Sequence, residues 1–154
     1  MSRTQDDNNL YFADQQEKAV NTLHNLIKEE NENEEDIIEA LWKTLIAFQN
    51  YPFYTLSGLP FSYSLKTGRD GNYTKELFID RRKNSKSLSW SSVVRVFQNV
   101  LRLQKEQGKV PFMKGPKSLG DIRGVSYLYP VFYQIGLIDV PDRVVKNDKK
   151  IGVS

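Results

Sequence analysis

Residues 78–103 have the sequence FIDRRKNSKSLSWSSVVRVFQNVLRL, and the predicted fold is built outward from them. A run of strand-forming residues ends at Asp80, and cations and serines dominate residues 81–89. Apolar residues then recur at helical spacing and form one stripe, which consists of Val93, Val96, Phe97, Val100 and Leu101. The stretch therefore predicts a strand, a polar turn and an amphipathic helix that ends at Gly108.

The residues before this stretch predict the partner strand of a β-hairpin. Apolar and polar residues alternate along residues 61–66, which is the period of a half-buried strand. Residues 67–72, with the sequence TGRDGN, form a turn cluster. Residues 76–80 then return as a second strand that is rich in strand formers. A β-hairpin therefore precedes the central helix.

Helical patterns lie on both sides of this hairpin. Residues 36–49 carry the recurrence of a well-buried helical face, and a weaker pattern begins at Asp14. After the central helix, a short helix over residues 117–123 is broken by Gly124, and a second helix follows over residues 127–135. We therefore predict an α+β fold in which a β-hairpin packs against three or four helices, with an acidic N-terminal helical arm.

The charge of the chain is divided unevenly along its length. The net charge is +3, but residues 1–50 hold 4 Lys/Arg against 11 Asp/Glu, a net charge of −7. Residues 51–154 hold 18 Lys/Arg against 8 Asp/Glu, a net charge of +10. Such a division favours nucleic acid or another polyanion as the partner of the basic part. The alternative is an ordinary solvated surface preceded by an acidic leader.

Three segments follow from these patterns. Residues 29–36 contain six acids, which repel one another and predict a solvated linker. Residues 1–12 predict a loose beginning, since they have few apolar side chains to bury. The predicted segments are an acidic, partly helical or disordered arm (1–34), a compact α+β domain (35–140) and a loose basic tail (141–154).

Composition narrows the classes of protein and of site. Cysteine is absent, which excludes disulfides and thiolate metal sites and is compatible with a reducing compartment. The first residues lack the apolar segment of a signal peptide, and no run approaches the roughly 20 apolar residues of a membrane span. We therefore expect a cytoplasmic protein that does not enter the membrane.

Cations and serines at the exit of the hairpin predict an anion-binding surface. Arg81, Arg82, Lys83 and Lys86 precede a helix start, whose backbone N–H groups favour anions. Serine hydroxyls nearby can bind phosphate oxygens, although the alternative is that they only cap the helix. The complete predicted nucleic-acid-binding set is Arg81, Arg82, Lys83, Lys86, Ser89, Ser91, Arg95, Arg102, Lys114, Lys117, Arg123 and Tyr127.

The two short helices around Gly124 have the outline of a helix-turn-helix. In that interpretation Tyr127, Tyr133 and Gln134 face outward into a groove of the nucleic acid. Leu128, Val131, Phe132 and Ile135 then face inward. The alternative, a core helix that closes the domain, is favoured because the second helix carries no cation and direct readout of bases typically uses Arg, Lys, Asn or Gln.

Aromatic residues interleaved with cations suggest a third kind of surface, which could stack the bases of a single strand. The alternatives are a packed core and, if several tyrosines are exposed together, a protein interface. The residues concerned are Tyr51, Phe53, Tyr54, Phe61, Tyr63, Trp90, Tyr127, Tyr129, Phe132 and Tyr133.

No pattern in the sequence predicts catalysis. His24 is the single histidine and lies on a peripheral helix. Glu76 and Asp80 share one face of a strand, but neither they nor Asp121 complete the carboxylate set that a metal-dependent nuclease needs. A glycine-rich phosphate loop is missing. We therefore expect a protein without catalytic residues, metal or cofactor.

Three segments resemble those of a family of small, functionally uncharacterised bacterial proteins. They are ALWKTLIAFQNYPFYT (40–55), GPKSLG (115–120) and SYLYPVF (126–132), and the resemblance spans about residues 35–140. It implies no catalytic site and no mechanism, and it suits a regulator or an accessory protein of a mobile element. The function expected is non-catalytic binding of the nucleic-acid phosphate backbone. The alternative is a protein–protein interaction module, either an inhibitor or an adaptor of a phage or mobile element, that uses the aromatic surface or the acidic arm.

Overall fold

The structure, a computed structural model, describes residues 2–29, 33–81 and 85–144, with side chains from residue 13 onward. The chain divides into two compact units, Met1–Gln49 and Asn50–Ser154. The regular secondary structure of the described residues consists of helices and one antiparallel sheet, so the predicted α+β class is confirmed. Within these described ranges, no helix combines the length and the apolar character that crossing a membrane requires.

The first unit is a pair of packed helices. Helix α1 spans Ser2–Lys28 and helix α2 spans Glu34–Ala47. The Thr44 hydroxyl donates to the Ala40 carbonyl at 2.8 Å and lies 3.3 Å from the Ala19 carbonyl of α1. Apolar side chains of both helices form the core of this unit, among them Leu23, Ile37, Leu41 and Leu45.

The boundaries of the first unit differ from those predicted. Helix α1 begins at Ser2 rather than Asp14, because extending an existing helix adds a hydrogen bond per residue without a new nucleation cost. The predicted boundary between residues 34 and 35 falls within the first turn of α2, whereas the two units meet between Gln49 and Asn50.

Acids of the predicted linker belong to the first turn of α2. The Asn33 side chain caps this helix by accepting a hydrogen bond from the Glu35 N–H at 2.9 Å. Glu34, Glu35 and Asp36 occupy the first turn, where negative charge favours the positive end of the helix dipole. Residues 30–32 of the acidic run lie outside the described residues.

The second unit contains a four-stranded antiparallel sheet in the order β1-β2-β3-β4. Its strands are β1 (Phe53–Tyr54), β2 (Pro60–Thr67), β3 (Tyr73–Arg81) and β4 (Lys86–Ser89). The predicted hairpin of β2 and β3 is confirmed, with Tyr63 opposite Ile79 and Leu65 opposite Leu77. The sequence did not predict β1 and β4, because both are short and their pairing with a neighbour, rather than their composition, makes them strands.

In the described part of the second unit, two α-helices of more than one turn and a 3-10 helix accompany the sheet. They are α3 (Trp90–Gln107), the 3-10 helix (Pro116–Leu119) and α4 (Val125–Gln134). The predicted stripe of α3 is buried, and Gly108 ends the helix with a left-handed φ of 70°. Phe97 of α3 meets Phe132 of α4 edge to face, with ring centroids 6.4 Å apart. In place of the helix predicted over residues 117–123, the structure has one 3-10 turn at Pro116–Leu119.

The first four residues of the predicted basic tail, 141–144, are held in the second unit. Val144 is buried, and its N–H donates to the Pro141 carbonyl at 2.9 Å. Residues 141–144 are therefore not loose, since one apolar side chain holds them to the unit. Residues 145–154 of the predicted tail lie outside the described residues.

Candidate nucleic-acid interface

Two predicted cations lie at one end of the β3–β4 hairpin. Lys86 begins β4 opposite Ile79, and Arg81 ends β3 two residues beyond Ile79. Because side chains alternate along a strand, Arg81 lies on the same face of the sheet as Ile79, which is the core face. The adjacent Arg82 and Lys83, also predicted to bind, lie outside the described residues.

A third cation approaches this end of the sheet through a close contact between α4 and β4. Gly124 precedes α4 with a φ of +93°, and a Cβ atom placed on it would lie 2.5 Å from Cδ1 of Leu88. The glycine therefore lets the chain pass directly over β4. Arg123 comes just before it and is exposed. We name Arg81, Lys86 and Arg123 the hairpin-end group.

A second group of cations is assembled on helix α3. Arg95, Asn99 and Arg102 are spaced four and three residues apart, so they share one face of the helix. The Asn99 side-chain amide donates to the Leu119 carbonyl at 3.2 Å and so holds the 3-10 helix against that face. Lys117 lies on the 3-10 helix and Lys114 just before it. We name Arg95, Arg102, Lys114 and Lys117 the α3-face group.

Most of these cations have no carboxylate partner within the described residues. Arg102 pairs with Glu106 at 3.6 Å, but both side chains are exposed, and such pairs are weak. Of the six exposed cations in the two groups, five form no salt bridge within the described residues, namely Lys86, Arg95, Lys114, Lys117 and Arg123. Their charge is therefore available to an anion from solution.

The serines of the hairpin exit have structural roles. Ser89 caps α3, since its hydroxyl accepts from the Ser92 N–H at 3.3 Å. The same hydroxyl lies 3.1 Å from the Ser91 hydroxyl and 3.0 Å from that of Ser92. Ser87 accepts a hydrogen bond from Lys66 at 2.9 Å. Capping and strand pairing thus account for the serines, and phosphate binding by Ser89 and Ser91 stays a prediction.

The helix-turn-helix interpretation is wrong, and the core-helix alternative is confirmed. The first helix is a four-residue 3-10 turn, which cannot brace a recognition helix in a groove. Tyr127, expected to face outward, is only 8% exposed, while Gln134 is exposed as predicted. The physical reason is that α4 is apolar on most of its surface, and such a helix is buried.

The predicted aromatic set belongs mainly to the core. Phe53 lies 5.6 Å from Phe61, and Phe61 lies 5.1 Å from Tyr127, measured between ring centroids. The buried members of the set are Phe53, Phe61, Tyr63, Tyr127, Tyr129 and Phe132, and the half-buried ones are Tyr51, Tyr54, Trp90 and Tyr133. The core interpretation of this set is confirmed.

An aromatic residue outside that set is the most exposed one described. Phe112 is 60% exposed, followed by Tyr73 at 46%. This ring is not among the residues that the sequence predicts to bind or to stack on bases. A signal was present, because Phe112 lies in a short apolar run, residues 110–113, that is flanked by Lys109 and Lys114.

An open cleft of about 600 Å³ adjoins the hairpin-end group. Asn50 at its rim has a φ of 65°, a left-handed conformation that is uncommon for a residue other than glycine. Arg81 belongs both to this cleft and to the hairpin-end group, so it connects the two. The lining residues are Asn50, Pro52, Phe53, Pro60, Phe61, Ser62, Asp80 and Arg81.

Two buried tyrosines have raised pKa values. Burial raises the pKa of Tyr63 well above 10.0. Burial also raises the pKa of Tyr129, and the Arg143 guanidinium partly offsets that rise. Over residues 13–29, 33–81 and 85–144, no group of three or more His, Cys, Asp or Glu side chains could hold a metal ion.

Comparison of the chain with protein-family models, curated proteins and solved structures gives no significant match. The resemblance of residues 35–140 to a bacterial family therefore stays a prediction. The class that the fold and the surface define is a small α+β protein with two groups of exposed cations on its basic unit.

Proposed function

We propose that the protein binds nucleic acid without catalysis and contacts the phosphate backbone through the hairpin-end group and the α3-face group. The observation that carries the proposal is that five exposed cations of these two groups stand on one folded unit without a described carboxylate partner. Phosphates can release condensed counterions when such cations bind, which gives affinity without base-specific contacts.

The geometry favours contacts to the backbone over contacts to base edges. Arg95 and Arg102 lie on a helix, and Lys117 lies on a 3-10 helix held by the Asn99–Leu119 hydrogen bond, so all three have supported backbones. The apolar helix α4 offers no exposed cation for a groove. Binding should therefore tolerate many sequences and depend strongly on salt.

A regulatory or accessory role in a bacterial cytoplasm is part of this proposal. It is supported by the absence of a catalytic pattern in the sequence and by the resemblance of residues 35–140 to small bacterial proteins. A place in a mobile element is part of the same proposal and rests on analogy with small accessory proteins.

The test is a fluorescence-anisotropy titration of labelled oligonucleotides at two salt concentrations. The triple variant Arg95→Gln/Arg102→Gln/Lys117→Gln should bind more weakly at low salt. Its dependence of log K on log salt should flatten by about 0.9 for each phosphate that the variant no longer neutralises. The control Lys18→Gln/Lys28→Gln/Lys43→Gln removes three exposed cations from the first unit and should bind as the wild type does. Absence of binding by the wild type at low salt would refute the proposal.

The alternative function is a protein–protein interaction module. It is favoured by Leu59 and Tyr73, which are 58% and 46% exposed, and by the acids at the start of α2. Affinity capture from the native cell, with and without nuclease treatment, separates the two functions. Loss of captured material after nuclease treatment supports nucleic-acid binding, while a protein that stays bound after treatment supports the interaction module.

A further inference from the structure

The exposed ring of Phe112 stands on a backbone that is tightly held. The Met113 N–H donates to the Asp139 carbonyl at 2.8 Å, and the Asp139 N–H donates to the Pro111 carbonyl at 2.9 Å. The Tyr129 hydroxyl donates to the Met113 carbonyl at 2.7 Å from within the core. The ring is therefore presented to solvent by a rigid support, although large apolar side chains are usually covered.

The side chains around Phe112 alternate between core and solvent. Pro111 and Met113 are buried, whereas Phe112 and Lys114 are exposed. Phe112 also forms a parallel bridge with Asp139, which shows that the backbone is extended there. In extended chain every second residue faces the same side, so Phe112 and Lys114 project together from Cα atoms about 7 Å apart.

The charge near the ring suits a polyanion. Lys109 and Lys114 flank Phe112 in the chain, and Lys117 follows on the 3-10 helix. Arg143 is close enough to Tyr129 to lower the pKa of its phenol, which brings a further cation to the side of the unit that supports the loop. Asp139 supplies an opposing carboxylate, so the surface is mixed but predominantly positive.

We propose that Phe112 stacks on an unpaired base while Lys114 contacts an adjacent phosphate, so that the ligand is a single-stranded nucleic acid. This inference rests on the proposed function and specifies its ligand. A base within a duplex is already stacked on both faces, whereas an unpaired base offers its face to an exposed aromatic ring. Because the loop leads from α3 into the 3-10 helix, a strand could pass from Phe112 to the cations of the α3-face group.

The experiment compares full-length variants in binding a labelled single-stranded thymidine oligonucleotide and a blunt duplex of equal length. The wild type should bind the single strand more tightly. Phe112→Ala should lose about tenfold in affinity for the single strand, the size expected for one stacked base. Phe112→Leu, which keeps apolar bulk but removes the π face, should lose a similar factor, and Phe112→Tyr should retain wild-type affinity.

The matched control is Leu59→Ala, which removes an apolar side chain that is 58% exposed elsewhere on the same unit. It should leave single-strand binding unchanged. A second readout is the fluorescence of 2-aminopurine in the oligonucleotide, which should be quenched by the wild type and less by Phe112→Ala. In both readouts the difference between the wild type and Phe112→Ala reports ring stacking, because the substitution leaves the charge of the protein unchanged.

The outcomes separate the two proposals. If the wild type binds nucleic acid but Phe112→Ala and Phe112→Leu bind the single strand equally tightly, the stacking inference is overturned and the proposed function stands. Tighter wild-type binding to the duplex would also overturn the inference. If the wild type binds neither oligonucleotide, the proposed function itself fails.

Discussion

Arg81 at the end of β3 donates a hydrogen bond from Nη1 to the hydroxyl of Tyr127 in the first turn of α4, 46 residues away in the chain. The guanidinium carbon also lies 5.8 Å from the centre of the same ring. Tyr127 is buried against Phe61, so a cation of the hairpin-end group is anchored to the core. The position of that charge is therefore set by the packing of α4 on the sheet.

This pairing predicts a measurable coupling between the two side chains. We expect the double-mutant cycle of Arg81→Met and Tyr127→Phe to give a coupling free energy of about 0.5–1.5 kcal/mol, the range for a hydrogen bond. Urea unfolding of the wild type, both single variants and the double variant measures it. Additive losses in the free energy of unfolding would show that the contact contributes nothing.

The contact of Gly124 with Leu88 predicts a graded series of glycine substitutions. Gly124→Ala should destabilise the protein most, because it combines a left-handed φ of +93° with a Cβ placed 2.5 Å from the buried Leu88 side chain. Gly71→Ala has a φ of +82° but open space, so it should lose only about 1–2 kcal/mol from backbone strain. We expect Gly124→Ala to lose more than that in denaturant unfolding.

Gly115 supplies the control for this series. Its φ of −164° is extended, and nothing lies within 4 Å of a Cβ added there. Gly115→Ala should therefore stay close to the wild-type free energy of unfolding. If Gly124→Ala were as stable as Gly115→Ala, the close approach of α4 to β4 would be contradicted.

Ser89 offers a way to separate helix capping from ligand binding. Ser89→Ala removes the acceptor for the Ser92 N–H and should lower the free energy of unfolding by about 1 kcal/mol. Ser89→Asp keeps a capping acceptor and should remain near wild-type stability, but its negative charge should weaken nucleic-acid binding. Thermal unfolding and anisotropy measured on both variants test the two effects. Ser91→Ala, which leaves the cap in place, is the matched control.

Tyr63 predicts a loss of stability at high pH. Burial raises its pKa in the folded state above the value of 10.0. Folding therefore favours the neutral phenol. Its contribution to the free energy of unfolding is complete below about pH 10 and is lost as the pH rises further. Tyr63→Phe cannot ionise, so its free energy of unfolding should fall less than that of the wild type above pH 10. Tyr73→Phe, at an exposed tyrosine, should fall as the wild type does.

Acids of the first unit predict an effect on nucleic-acid affinity. Glu34, Glu35 and Asp36 are exposed, and they give the first unit much of its negative charge. If this charge competes with nucleic acid for the basic unit, Glu34→Gln/Glu35→Gln/Asp36→Asn should bind more tightly at low salt. The gain should disappear at high salt because ions screen the charges. Equal affinity at low salt would dismiss an inhibitory role for these three acids.

Local sequence patterns were enough to predict the strands and helices in which apolar residues recur at a regular spacing. The alternation of residues 61–66 predicted the strand β2, and the stripe from Val93 to Leu101 predicted the buried face of α3. Capping of α3 by one of the serines before it followed from the chemistry of a hydroxyl at a helix start, and in the structure this serine is Ser89. Each of these features depends on residues close together in the chain, so sequence spacing carries the information.

Contacts between residues that are far apart in the chain account for the differences between the predicted and the observed structure. The helix-turn-helix interpretation placed Tyr127 outside, but pairing with Arg81 and packing on Phe61 make it part of the core. The polar strand β4 exists because β3 supplies its hydrogen bonds, which no composition rule reports. The sequence predicts Gly124 only as a helix breaker, whereas its close approach to Leu88 becomes visible when α4 and β4 are placed together.

The sequence by itself therefore determined the α+β class, the central hairpin and helix, and the excess of positive charge after residue 50. Periodicity, capping and composition are local or additive properties, and they need no knowledge of the fold. The tertiary structure alone decided which cations share a surface, which aromatic rings are buried and that Phe112 is held outward. These properties depend on hydrogen bonds such as Asn99 to Leu119 and Met113 to Asp139, whose partners are distant in the chain.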